Sequence, residues 1–244
     1  VMEPIRNDYP EEHFLEEIRD ATKKAGVILI FDEVSAGFRL CAGGSHKVLG
    51  VEPDIAVFAK GLTNGYPLAA IIGQKDVMEA AQGTFISSTF YTEKVAFAAA
   101  LKNIELYQKY RVWEKQNEYG SMVQKGWKEL SEKYRLTIEI GGIYPLSHFS
   151  IIGKENALVY KTFFVQEMLK MGYIASNAFY PSYAHSEEIL KEYEQVLPIL
   201  CEESTSNIPF EKSVLSYKEN GKWGIIDFLG KKITKANYDS IESM

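Results

Sequence analysis

Cysteine is almost missing from this chain. Cys41 and Cys201 are the only two among 244 residues, and their separation fits neither a metal-binding nor a redox motif. They read as free thiols of a reducing compartment, which points to the cytoplasm. Four histidines, His13, His46, His148 and His185, are scattered, so no zinc site can be assembled from them. No apolar run approaches the ~20 residues that span a bilayer, which argues against a membrane protein. No secretory signal is read at the start. Basic clusters are lacking too. The net charge is −6 and the isoelectric point lies near 5.4, which argues against nucleic acid as a principal partner. What is present is ordinary for a globular protein: 46% hydrophobic and 25% charged residues, enough to build one large domain or two small ones. The chain opens on Val1 in what reads as the middle of an element, which suggests a beginning inside a longer protein.

Apolar spacing predicts a helix from Glu11 to Ala25, with Phe14, Leu15, Ile18 and Ala21 on one face and Gly26 as its stop. Val27 to Phe31 and Asp54 to Ala59 read as strands buried on both faces, and Pro67 to Gly73 as a third strand. Thr92 to about Lys133 is a long helical stretch expected to break near Gly120. Two strands around Gly141-Gly142, a helix over Ala157–Met171, a short strand at Tyr173–Ser176 and a last helix over Ser186–Leu200 complete an α/β pattern. The expected domains are residues 1–119, 120–203 and 204–244. The last begins with a polar linker and carries Asn220-Gly221 before an apolar strand containing Trp223-Gly224. This tail, through Gly230 to Tyr238-Asp239-Ser240-Ile241, resembles a single WG-type repeat. One such hairpin buries too little surface to stand alone.

Chemistry concentrates at two strand ends. Asp32-Glu33 closes the first apolar run, and Lys60-Gly61 closes the second. Ligands of α/β sheets sit at such ends. A lysine amine there can form a Schiff base with an aldehyde, and a carboxylate can keep a pyridine nitrogen protonated, so that the ring draws electrons from a substrate. By residue type alone, Asp-Glu after a strand is equally a loop or metal-site feature, and a strand-end lysine is more often solvated. Other pairings carry less. His185 with Glu188 lacks a third metal ligand, and His185 reads better as a packing or capping residue. Arg39 suits either a substrate carboxylate or a structural ion pair. The stretch Ala178–Tyr183 reads as a pocket border or a packed loop. Gly43-Gly44 and Gly141-Gly142 fit no phosphate-loop or dinucleotide spacing.

Five ordered segments add a resemblance. They are Glu3-Pro4 before Phe14–Arg19; Leu29–Val34 with Gly37-Phe38-Arg39; Pro53-Asp54 through Lys60-Gly61; Gly65 with Pro67–Gly73; and Ser182-Tyr183-Ala184-His185. Over residues 1 to about 203 the chain resembles the second half of a class III, glutamate-1-semialdehyde-type aminotransferase dependent on pyridoxal 5'-phosphate. The resemblance implies a partial fold-type I α/β transferase: the second half of the large domain, then a small C-terminal α/β domain. It implies that Lys60 binds the cofactor aldehyde, Asp32 pairs with the ring nitrogen and Val34 packs on a ring face. Thr89 corresponds to a threonine that reaches the phosphate bound to the partner subunit of a homodimer. The family's Gly-Asn-Pro run after that threonine is replaced here by Tyr91-Thr92-Glu93-Lys94, which leaves Ser88 as a substitute and helix capping as the alternative for both residues.

The resemblance places the phosphate loop, the stacking aromatic residue and several strands outside this chain. Exposed sheet edges and apolar faces are therefore expected. The expected activity is amino transfer or aminomutation between an amine and a carbonyl compound through a Lys60 Schiff base, incomplete in this chain and complete only in the full-length dimer. The alternative is an inactive aminotransferase remnant fused to a WG-type interaction module.

Overall fold

The computed structural model describes residues 1–91, 93–152, 157–194, 214–220 and 222–227. Chain contacts divide it into two compact units. The first comprises Val1–Gln124, Gly141–His148 and Phe179–Glu187, and the second Lys125–Ile140, Phe149–Ala178 and Glu188–Met244.

The first unit opens with α1 (Phe14–Ala25), whose Glu16 and Glu17 lie in its first turn and Lys23 and Lys24 in its last, as the helix dipole favours. Gly26 caps it, donating to Lys23 O, and Val27 N returns to Thr22 O. Leu15 is buried with Leu29, Phe31 and Val51, and Ile18 packs against the same cluster. Strand β1 (Ile30–Asp32) pairs in parallel with β2 (Ile55–Phe58), in the register Ile30↔Ile55, Phe31↔Ala56, Asp32↔Val57. Between them lies the short α2 (His46–Leu49). Strand β3 (Ala70–Gly73) pairs antiparallel with β2 and leads into α3 (Lys75–Glu79). The first strand is shorter than its apolar run: Val27 and Ile28 are 54% and 45% exposed, because the chain is still leaving the α1 cap there. Only Leu29 and Phe31 of that run are buried.

Helices α4 (Lys94–Lys109) and α5 (Val112–Tyr134) replace the single long helix. The break falls at Tyr110–Arg111, with Arg111 at φ 49°, and not at Gly120. Gly120 lies inside α5, where an added Cβ would stand 1.9 Å from Tyr144 O. Glycine is therefore required by close approach of another backbone. Gly120→Ala is expected to lower stability by about 1–3 kcal/mol in chemical denaturation. In an exposed helix the same change would add roughly 1 kcal/mol.

The expected apolar exposure is present around β3 and its following loop. Ile71 and Ile72 are 60% and 55% exposed, and Phe85 and Phe90 of the loop are exposed as well.

Strands β4 (Ile138–Gly141), β5 (Ser147–Ile151) and β6 (Ala178–Phe179) form a three-stranded sheet in that order, and residues 138–140, 149–151 and 178 of it belong to the second unit with the C-terminal part of α5. Trp127 and Phe149 meet edge to face at 5.0 Å, and Phe149 meets Phe164 of α6 (Ala157–Lys170) at 5.4 Å. Trp127 Nε1 donates to the Tyr193 hydroxyl at 3.2 Å, and burial pushes that phenol up to about 12. The short strand expected at Tyr173–Ser176 instead forms at Ala178–Phe179, where Asn177 O accepts from Phe149 N. The last helix is seen over 187–194, and its expected continuation lies outside the described residues.

In the tail, β7 (Val214–Glu219) and β8 (Lys222–Asp227) form an antiparallel hairpin with Lys218↔Trp223 and Tyr217↔Gly224 in register. Asn220 takes φ 50° at its turn, as an Asn-Gly hairpin requires. The Gly230 turn and Tyr238–Ile241 fall outside the described residues.

Candidate active site

Because β1 and β2 run in parallel, their C-terminal ends emerge on the same side of the sheet. Asp32 is the last residue of β1 and lies opposite Val57, three residues before Lys60. Past β2 the chain turns into a 3-10 turn, Lys60–Leu62. Lys60 adopts φ 36°, a left-handed conformation that a residue bearing a Cβ holds only when its surroundings impose it. Two contacts impose it. Gly61 lies so close to the loop after β1 that a Cβ would meet Phe38 Cβ at 3.1 Å and Gly37 O at 3.2 Å. From α4, Asn103 Nδ2 donates to Gly61 O at 2.8 Å and to Leu62 O at 2.9 Å. Beneath this turn Phe38, Ala56, Phe58, Leu62, Ala100 and Tyr107 form one buried cluster.

The Asp32 carboxylate is half-buried. Its Oδ1 accepts from Val34 N at 2.9 Å, and its Oδ2 has no hydrogen-bond partner among the described residues. Lys60 Nζ donates to Ser35 Oγ at 2.6 Å. Among the described residues no carboxylate comes within ion-pair distance of that amine. The site thus has an anion with an open lone pair and an amine free of a counter-ion.

Glu33, the other half of the acidic pair, has a different role. It is fully buried. Its Oε1 and Oε2 accept from Ser45 N at 2.9 Å, His46 N at 3.0 Å, Ser45 Oγ at 2.9 Å and, with Nδ1 protonated, the His46 ring at 2.9 Å. Burial alone would raise its pKa, but the hydrogen bonds from His46 and Ser45 prevail and hold it below the ordinary carboxylate value. Glu33 N also donates to Val57 O, so this residue fastens the start of α2 and the end of β2 to the loop after Asp32. Asp54 is likewise structural, accepting Leu29 N at 2.7 Å and pairing with Arg19 at 3.0 Å. Its pKa is also lowered, burial being outweighed by Leu29 N and Arg19.

A carboxylate with a depressed folded pKa contributes stability that is complete above its unfolded value. That contribution is lost as pH falls through the folded one. Melting temperature is therefore expected to fall below about pH 4.5. Glu33→Gln should flatten part of that decline.

Other residues singled out from sequence fall as follows. Arg39 Nε reaches Ser35 O at 3.4 Å and its guanidinium lies 5.9 Å from the Tyr180 ring centre, with no ion-pair partner among the described residues. Burial lowers its pKa. Thr89 and Ser88 are exposed, and neither caps α4. That cap is Glu93, whose carboxylate accepts Val95 N at 2.7 Å and Ala96 N at 3.0 Å. His185 packs locally: its Nδ1 accepts from Ser182 N at 2.9 Å, and its ring lies 5.1 Å from that of Phe179. Ser35, Asn103 and Ser45 were not legible as site residues. Their partners lie 12 to 42 residues away in sequence, and only the tertiary fold brings them near.

No helix of the described residues is long and apolar enough to cross a membrane. The chain is 27% identical over 212 residues to a glutamate-1-semialdehyde 2,1-aminomutase of Sulfurihydrogenibium azorense, covering 79% of this chain and 50% of that protein. It is 28% identical over 211 residues to a 3-aminobutyryl-CoA aminotransferase of Cloacimonas acidaminovorans, covering 84% and 49%. It thus spans about half the length of these curated relatives. Among solved structures, the FumI protein of Sphingopyxis sp. MTA144 in its PLP internal aldimine form superposes with a TM-score of 0.79 at 22% identity, over 87% of this chain and 52% of that one. The model of the class III aminotransferases matches residues 1–172, and the chain belongs to that family.

Proposed function

We propose that the protein transfers an amino group between an amine and a carbonyl compound, with pyridoxal 5'-phosphate as cofactor and Lys60 as its point of attachment. The observation that carries this reading is the shared C-terminal end of β1 and β2, with Asp32 on one strand and Lys60 just past the other. The donor set fits the group: an amine for an aldehyde and an open carboxylate oxygen for a protonated ring nitrogen. The bound cofactor supplies an aldehyde that condenses with amines and a ring that takes up the electron pair released at the substrate carbon.

In this reading Asp32, its Oδ1 bonded by Val34 N, would hold the ring nitrogen through its open oxygen, and Val34 would help to hold the ring. Lys60 would hold the cofactor through its amine. When not attached, the same nitrogen would serve as general base and acid for the proton at the substrate carbon. Thr89, exposed on its loop, binds the phosphate held by the partner subunit of a homodimer. The substrates are small molecules, the compartment is cytoplasmic, and neither nucleic acid nor membrane is a partner. Amino donors remain open among glutamate-1-semialdehyde, ω-amino acids and amino sugars, in keeping with relatives whose named substrates differ.

A second reading rests on the 214–227 hairpin, with Trp223-Gly224 on its second strand. It takes this hairpin as a WG-type interaction unit attached to an inert aminotransferase segment. The protein loaded with pyridoxal phosphate and offered each donor class with a keto-acid acceptor decides between the two. Donor loss matched by amino-acid formation supports amino transfer, and conversion of a single amino-aldehyde without acceptor supports aminomutation. With the full-length dimer as the assayed species, no turnover with any donor favours the inert module.

A further inference from the structure

We propose that Ser35 is a positioning residue for Lys60, a role that rests on the reading of Lys60 as the cofactor-attachment site. Three observations lead to it. Lys60 Nζ donates to Ser35 Oγ at 2.6 Å, and the amine has no other hydrogen-bond partner among the described residues. The backbone of the Lys60 turn is already held from two directions, by Asn103 on Gly61 O and Leu62 O and by the close approach of Gly61 to Gly37 and Phe38. The remaining freedom of Lys60 is therefore that of its long side chain, and Ser35 is what restrains it.

Ser35 belongs to the same short turn that orients Asp32. Val34 N donates to Asp32 Oδ1, and the next residue accepts the amine. That turn is fixed in turn by the buried Glu33, whose N–H donates to Val57 O on the strand leading to Lys60. Residues 32–35 thus orient the carboxylate and the amine together. The hydroxyl suits a second task as well. As an acceptor it would hold the amine in one place whenever that amine is not attached.

The test compares Ser35→Ala, which removes the hydroxyl, with Ser35→Thr, which keeps it. In the cofactor-free chain, competitive acetylation followed by peptide mass spectrometry reads how firmly the amine is held. Lys60 in Ser35→Ala is expected to acetylate about three- to tenfold faster relative to the exposed Lys102, and Ser35→Thr to stay near the parent. With pyridoxal phosphate and borohydride, the share of label on Lys60 is expected to fall by a similar factor in Ser35→Ala and to be restored in Ser35→Thr. Equal acetylation and equal labelling in all three chains overturn the role of Ser35 while leaving Lys60 as the attachment site. A parent chain that never labels at Lys60 overturns the attachment reading and the positioning role with it. Acetylation of the same three chains then still shows whether Ser35 holds the amine.

Discussion

Lys60→Ala is expected to abolish amino transfer, with turnover falling by at least ~10³-fold. The loss follows from the site's composition. Lys60 is the amine at the shared end of β1 and β2, and in the proposed reaction it is both the attachment point and the proton carrier. Removing it takes away two roles at once, so an added small amine is expected to restore only the proton-carrying part. The fold should tolerate the change. Lys60 is exposed, its amine bonds only to Ser35 Oγ among the described residues, and alanine relieves none of the buried contacts below Gly61. Assay of donor consumption beside a thermal melt separates the two: activity lost with an unchanged melt supports the role, and retained activity contradicts it.

Glu33→Ala is expected to have the largest effect on stability, about 3–5 kcal/mol in chemical denaturation. The mechanism is desolvation without compensation. The change strips the acceptor from Ser45 N, Ser45 Oγ, His46 N and His46 Nδ1, all close around a carboxylate with no exposure to solvent. The nearest other acid, Glu52, is 3.7 Å from His46 Nε2 but 77% exposed, so it offers weak relief. Glu33→Gln retains one acceptor oxygen and should lose less. An alanine variant as stable as the parent would show that the cluster is not what joins α2 to the β1–β2 ends.

The position of Asp32 and Lys60 at neighbouring strand ends was readable because its signal is local. Asp32 and Lys60 each follow a short apolar run, and parallel pairing brings such run ends together. The roles within the acidic pair were not readable. Asp32 and Glu33 are adjacent carboxylates, and only the chain's return at Ser45-His46 makes one a buried anchor and leaves the other open. Ser35 was hidden for the same reason, since its partner lies 25 residues on.

The fold shows the same division. Gly26 and Asn220 act where their conformational preferences predict. Gly120 does not break its helix, because glycine there answers to the Tyr144 backbone and not to helix propensity. The break falls at Tyr110–Arg111, where nothing in the local sequence marks it. Thr89 and Ser88 leave the helix cap to Glu93, an acidic residue whose carboxylate reaches two backbone N–H groups.

The account stands on Lys60 as the cofactor-binding amine, and one experiment addresses it directly. The chain is mixed with pyridoxal phosphate, reduced with borohydride, digested and mapped by mass spectrometry, with Lys60→Ala in parallel. The account predicts pyridoxyl label concentrated on the Lys60 peptide and absent from the variant. Label spread over the exposed lysines, or unchanged in Lys60→Ala, would contradict it.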